Sequence, residues 1–318
     1  MLDTRMPRAA VSFVVTVYNK CRYLAEVLAG IAAQEGSFER EVVIVDDGST
    51  DGSRAVAAAL GPRLPGFRLI AQPNRGPASA TNRGLAAAAM PFVKLVDGDD
   101  LLAPYATRHL LEAAERLGAE VAIGAGGAYR VGTAPRWPGI AAPAPALLAD
   151  PLAHLIRRIW FTPSNMLIRR DALAASGGCD ERVFVQDYAL ALRLAARCRF
   201  ALSDTVVMAS PATADPDRVS CNKAQILHDL NLALLLFLED RPELPARYRR
   251  MALRRVAARA WKWGRREAGR GVLSRESLLC LGAALGVRRA ARAGLDIFAV
   301  GGSLRWRPLS EIRRAAGP

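Results

Sequence analysis

Long apolar runs are missing from the 318 residues. The longest stretch without a charge is the 13 residues from Trp137 to Ala149, and it holds 3 prolines. A membrane-spanning helix takes about 20 apolar residues, so no transmembrane segment is expected. Histidine is scarce, at 3 residues, and the 5 cysteines (Cys21, Cys179, Cys198, Cys221 and Cys280) are scattered without a CxxC pair. That usage speaks against a zinc site and against a disulfide framework, and for a reducing compartment. The opening MLDTRMPRAAVSF runs straight into a strand-like apolar stretch with no small-residue cleavage site, so no signal peptide is expected either. What is present is an ordinary globular composition, 51% apolar and 23% charged, which excludes a disordered tail or a fibrous repeat. The length allows one large α/β domain or two ordinary ones.

The charge is unevenly placed. Residues 241–318 carry 19 Lys and Arg against 5 Asp and Glu, which accounts for the entire net charge of +14 and leaves the first 240 residues neutral. A neutral body with a basic appendage is expected, not a chain that binds nucleic acid throughout.

Along the first half, continuous apolar runs alternate with helical periodicity. Val11–Val17, Val42–Val45, Phe67–Ala71 and Phe92–Val96 read as buried strands, with a further one at Val121–Ile123. Between them Leu24, Val27, Leu28 and Ile31 recur at helical spacing, an Ala-rich helix runs from about Arg54 to Leu60, and Gly76-Pro77 opens a helix through Ala89. Strands of that kind imply a mostly parallel sheet covered by helices on both faces. The rhythm breaks at Thr133–Pro151, rich in proline and alanine, which reads as a surface loop. A short helix at Leu152–Trp160, a strand at Asn165–Ile168, a helix from Asp171, a Gly177-Gly178 turn and a helix at Asp187–Ala196 follow. From Asn222 the pattern is nearly all helical.

Polar clusters fall at the carboxyl ends of the strands, where open α/β sheets bind ligands. Thr16-Val17-Tyr18-Asn19 closes the first strand, Asp46-Asp47 the second, and Asp97-Gly98-Asp99-Asp100 the fourth. Five carboxylates at one sheet edge repel one another unless a cation joins them, and oxygen ligands suit a divalent metal. Helix capping would account for DGST but less well for DGDD, since one cap needs one carboxylate.

The stretches VSFVVTVYNKCRYLAEVLAGIAAQ, EVVIVDDGSTDGS, NRGPASATNRGLAAA, FVKLVDGDDLLAP and SNMLIRRDALAASGGCDERVFVQDYALALRLA together resemble the family 2 glycosyltransferases, over roughly residues 10–222. The resemblance implies the A-type nucleotide-diphospho-sugar fold (GT-A), a Rossmann-like, mostly parallel sheet flanked by helices. It implies a catalytic domain at 1–222, with a nucleotide-sugar half at about 10–125 and an acceptor half at about 125–222. A basic helical extension at 223–318 would follow.

It also implies a metal-dependent inverting transfer of a sugar from a nucleotide diphosphate sugar, with a UDP-sugar favoured, to a hydroxyl acceptor. That acceptor would be a glycan or a lipid-linked chain in cell-envelope polysaccharide synthesis, at a cytoplasmic site. Residue by residue, Thr16, Val17 and Tyr18 would face the base, with Asp47 accepting from a ring N–H. Arg75 would lie near the nucleotide or its phosphates, Asp97 would face the ribose and metal region, and Asp99 would be the main ligand of Mn2+ or Mg2+. Asp187 would be the general base.

Two departures stand out. Gln186 precedes Asp187 where the family usually has Glu, and Asp215, in DPDRVS, stands where many members carry a histidine near the metal. Asp215 reads equally as a metal ligand and as a solvated loop acid. His228 reads as structural, and His109 and His154, in helices away from the motifs, are assigned no role.

In the extension, Leu253, Val256, Ala260 and Trp263 line one helical face of Met251–Arg266, and Arg255, Arg259, Lys262 and Arg266 another. Such a helix either lies on an anionic membrane or packs on its own domain with a solvated basic face. Nucleic acid is the least supported partner, because no binding motif accompanies the charge. Gln186 leaves open a non-catalytic relative that binds nucleotide sugar or glycan as a scaffold. A sugar nucleotidyltransferase should show a glycine-rich N-terminal signature that is absent.

Overall fold

Strand β1 (Ala10–Val17) reads AVSFVVTV and buries successive side chains, not alternate ones, so both of its faces must be covered. The computed structural model describes residues 9–158, 162–212, 222–267, 269 and 271–298. In it β1 lies between β2 (Glu39–Asp46) and β4 (Phe92–Asp97), parallel to both, and β2 runs parallel to β3 (Arg68–Ala71). The connections are α1 (Cys21–Ala32), α2 (Ser53–Leu60) and α3 (Pro77–Ala87). Helix α1 buries Tyr23, Leu24, Val27, Leu28 and Ile31, the stripe its periodicity predicts. Helix α3 approaches the sheet so closely that a Cβ on Gly84 would fall 2.3 Å from Val14 Cγ1.

The sheet continues past β4 through β8 (Met166–Arg169) and β6 (Val121–Tyr129) to β9 (Phe200–Pro211). Two bridges, β5 (Leu101–Leu102) and β7 (Ala146–Leu147), pair antiparallel with β9. Among the described residues these strands form one sheet of order β3-β2-β1-β4-β8-β6-β9-β5, with β7 on β9. The long ladders are parallel and the antiparallel joins are two or three residues each, so the mostly parallel sheet is as expected. Helices α4 (Ala106–Leu117) and α6 (Arg170–Ser176) belong to the same compact unit.

Strand β9, at twelve residues, is the longest described and had no counterpart in the sequence pattern. Ser203, Asp204 and Thr205 interrupt its apolar run, and its register against β6 shifts between Ile123 and Gly126, so no uniform period survives. Its partners, not its own composition, make it a strand. The 133–151 loop likewise contains β7, then hands over to α5 (Pro151–Arg157), whose cap Asp150 accepts from Ala153 N at 3.0 Å.

A second compact unit is helical. It gathers α5 and α7 (Gln186–Ala195) with α8 (Lys223–Glu239), α9 (Ala246–Arg266), α10 (Arg275–Ala284) and α11 (Arg288–Ala293), followed by a 3-10 turn at Gly294–Phe298. The division is therefore not a single cut at residue 222. Helices α5 and α7 complete the core of the later helices: the Arg259 guanidinium stacks 5.6 Å from the Tyr188 ring, and the Tyr188 hydroxyl donates to Leu155 O at 3.4 Å. Phe184 N, just before α7, donates to Asp229 of α8 at 2.7 Å.

Helix α9 resolves one open question. Its stripe of Leu253, Val256, Ala257 and Ala260 is buried, and Trp263 packs 5.9 Å from the Phe298 ring. The Met251–Arg266 segment therefore spends its apolar face inside its own unit, and that face is not offered to a membrane.

Candidate active site

The strand register sets three polar ends at one level. Thr16 stands opposite Val45 on β2 and Asp97 on β4, and Val17 opposite Asp46. Two backbone bonds then tie the ends together: Asp47 N donates to Val17 O at 2.8 Å, and Gly98 N to Thr16 O at 3.0 Å. A Cβ on Gly98 would meet Thr16 O at 3.0 Å and Lys20 Cγ at 3.2 Å, so glycine is what permits this approach. Thr16, Val17, Tyr18, Asp47, Asp97 and Asp99 are thus brought to one sheet edge, with Tyr18 exposed.

Asp47 is buried and acts on the chain itself. One carboxylate oxygen accepts from Gln72 Nε2 at 2.7 Å and Arg75 N at 2.9 Å, the other from Gly76 N at 2.9 Å. Burial pushes its pKa up against the pull of those hydrogen bonds. By gripping residues 72–76 it holds the exposed Arg75 beside the edge and the start of α3 in place, and one lone pair remains for a ligand N–H.

The DGDD loop holds a cation, Lys20, that the sequence reading did not assign. Asp99 is buried and its carboxylate meets Lys20 Nζ at 2.7 Å. Tyr129 donates its hydroxyl to Asp99 O at 3.0 Å, and Ser210 Oγ to Asp100 Oδ1 at 2.7 Å. Beneath the loop, Lys94 of β4 is fully buried, donating to the carbonyls of Ser164 and, at 3.2 Å, Met166. Burial pulls its ammonium down to about 7, while the negative charges of Asp100 and Asp97 push the other way. The signal was there to read: FVKLVD puts a lone charge in the middle of a buried strand, where lysine needs a partner.

This lysine carries a stability prediction. Its pKa in the folded chain lies below its unfolded value, so between about pH 7 and pH 10 the unfolded chain binds more protons and stability rises with pH. One proton can tilt that slope by at most about 1.4 kcal/mol per pH unit. Urea unfolding at several pH values in this window should show the wild type gaining stability relative to Lys94→Met, and parallel curves would remove Lys94 from the account.

Asp187 belongs to the helical unit, in the first turn of α7, and is half-buried. It accepts from Tyr188 N at 2.8 Å. Burial pushes its carboxyl up to about 6 against the backbone hydrogen bonds, which corrects the ordinary value near 4 that its residue type suggests. A carboxylate at that level is ionised at neutral pH and still basic enough to take a proton in a transition state. Gln186 beside it is buried.

Asp215 lies outside the described residues, as does Cys221. His109 is spent on Ser203 Oγ at 2.8 Å, and His228 on Asp229 at 2.7 Å and on the edge of Phe298. Both rings are thus engaged within the fold.

The donor chemistry fits a divalent metal. Among the described residues no group of three His, Cys, Asp or Glu side chains could enclose one. Mg2+-type sites, however, commonly use one or two carboxylates and take their remaining oxygens from substrate phosphates. Asp99, already paired with an ammonium, is a carboxylate placed to hold a cation.

The model of the family "Glycosyl transferase family 2" matches residues 12–179. Succinoglycan biosynthesis protein ExoO of Rhizobium meliloti (strain 1021) is 40% identical over 115 residues, 36% of this chain and 32% of that protein. The chain spans about a third of the length of the curated relatives it matches. Among solved structures, S. aureus TarS 1-349 superposes with a TM-score of 0.64 at 18% identity, covering 97% of this chain and 92% of that one. The same protein in complex with UDP-GlcNAc gives 0.59 at 15% identity, covering 94% and 93%. Mannosyltransferase PcManGT from Pyrobaculum calidifontis, in complex with GDP-Man and Mn2+, gives 0.54 at 22% identity, covering 92% and 86%. At those identities the likeness establishes the fold, a GT-A type.

Proposed function

The chain belongs to glycosyl transferase family 2, and on that premise we propose that it is a metal-dependent, inverting transferase. It would move a sugar from a nucleotide diphosphate sugar to a hydroxyl acceptor, the reaction being carried by residues 1–222. The observation that carries this reading is the joined edge: the ends of β1, β2 and β4 tied by backbone bonds, with the buried Asp99 carboxylate paired to the Lys20 ammonium beside it.

Thr16, Val17 and Tyr18 border the base, and Asp47 offers its remaining lone pair to a base N–H. Arg75, fixed through its own backbone by Asp47, meets the phosphates. Asp97 lies toward the ribose. Asp99, with Asp215 as the second candidate, would hold Mn2+ or Mg2+. When bound, the ion would offset charge growing on the leaving diphosphate. Asp187 takes the proton of the acceptor hydroxyl as that oxygen bonds to the anomeric carbon. The bond from that carbon to the phosphate oxygen breaks and its electron pair leaves with the diphosphate. Attack from the face opposite the leaving group inverts the anomeric centre without a covalent enzyme intermediate.

A UDP-sugar is favoured because the TarS likeness, with UDP-GlcNAc bound in that protein, extends over nearly the whole chain. ExoO, named for succinoglycan biosynthesis, supports a polysaccharide or lipid-linked acceptor, and with it a cytoplasmic site of action.

The test is a panel of nucleotide sugars with Mn2+, Mg2+ or EDTA, read as thermal shift and slow donor hydrolysis. A ligand at 100 times its Kd stabilises by about 2.7 kcal/mol, so the cognate donor should raise Tm clearly, and only with metal. No shift with any nucleotide sugar would sink the donor assignment. Asp47→Ala should weaken nucleotide binding by about 1.5–3 kcal/mol, the value of a hydrogen bond to a charged group. Calorimetry showing unchanged nucleotide affinity in this variant would remove Asp47 from the site.

A further inference from the structure

Helix α10 is built inside out. It buries its small residues, Ser277, Cys280 and Ala283, with Cys280 in a cluster with Ala260, Ile297 and Phe298. It turns Leu278 and Leu281 outward. Six of the ten large exposed hydrophobic side chains among the described residues fall within 272–287: Val272, Leu273, Leu278, Leu281, Leu285 and Val287, with Leu273 at 86% and Leu285 at 78% exposure. Leu278, Leu281 and Leu285 share one face at helical spacing. A surface helix of a soluble protein does the reverse, and contiguous exposed apolar patches mark interaction sites.

The charge around the patch selects what covers it. Arg275, Arg288 and Arg289 are exposed at its borders, in the segment that holds the whole net charge of +14. Two copies meeting through this face would bring those arginines together at a cost. Nucleic acid would meet the arginines and leave the leucines in water. An anionic bilayer answers both, with leucines entering the acyl boundary and guanidinium groups at the phosphates. We propose that the α10 face, from Val272 to Arg289, is a docking surface for an anionic lipid membrane. The proposal does not depend on the transferase reading, since binding to lipid needs neither donor nor metal. It moves the membrane contact off α9, whose apolar stripe is buried.

The experiment is co-sedimentation of the full chain with vesicles of phosphatidylglycerol mixed with phosphatidylcholine, and with phosphatidylcholine alone. The wild type should bind the anionic vesicles, and less so at high salt. The triple variant Leu273→Ser, Leu281→Ser, Leu285→Ser should lose about tenfold or more of that binding, and so should Arg288→Glu with Arg289→Glu. All five positions are exposed, so both variants should keep the wild-type circular dichroism and Tm. Equal binding to neutral vesicles, or a leucine variant that binds like the wild type, overturns the proposal. So does a wild type that ignores vesicles but sediments as a dimer that the leucine variant dissociates, which would make the face an interface between copies. Unchanged vesicle binding by both variants likewise overturns it.

Discussion

Asp187→Asn should cut transfer by about 10²–10⁴-fold while leaving donor affinity unchanged, the signature of a lost general base. A sugar hydroxyl is a poor nucleophile until its proton is taken, and the amide cannot hold that proton. The structure adds a readout that a merely structural role would not move. Burial lifts the folded-state carboxyl to about 6, above its unfolded value near 4. Between those values the folded chain binds the extra proton, so the stability this group contributes is present at low pH and is lost as pH rises through about 6. Neutral Asn avoids that penalty, so the variant should be as stable at pH 7 as the wild type or more so. Activity runs the other way: wild-type kcat should fall as pH drops through about 6, when Asp187 takes up its proton. Near wild-type transfer by Asp187→Asn, or a large fall in its Tm, would leave Asp187 a structural residue. Gln186→Glu should change the rate much less, although a second acid nearby would push the apparent pKa of Asp187 higher.

Asp99→Ala should abolish metal-dependent nucleotide binding and bring turnover to background. On the proposed reading its buried carboxylate, paired with Lys20 Nζ at 2.7 Å, would hold the ion that offsets the charge growing on the diphosphate. EDTA should reproduce the loss in the wild type. The Lys20 pair makes the outcome decisive. Full activity in EDTA that disappears in both Asp99→Ala and Lys20→Met would mean that the ammonium of Lys20 serves in place of a metal. Activity retained by Asp99→Ala would remove DGDD from catalysis altogether.

Much of the candidate site is legible in the sequence, for a local reason. The apolar runs of β1, β2 and β4 are continuous, so their ends are unmistakable. Asp46-Asp47 and DGDD sit immediately after them, and a parallel sheet must place those ends on one edge. Helix α1 showed its stripe because every third or fourth residue repeats it. The basic extension was visible as simple charge counting.

What the linear pattern does not contain is burial by distant partners. Strand β9 has no clean period, and β6, β5 and β7 make it a strand. Lys20 and Lys94 acquire meaning only when Asp99 and the carbonyls of Ser164 and Met166 come within reach. The carboxyl of Asp187 is moved to about 6 by desolvation. Helices α9 and α10 carry the sharpest contrast. In sequence α9 has the membrane-like stripe and α10 a mixed pattern, yet α9 buries its stripe and α10 exposes Leu278 and Leu281. Periodicity shows that a helix has two faces, and which of them meets water depends on what packs against it.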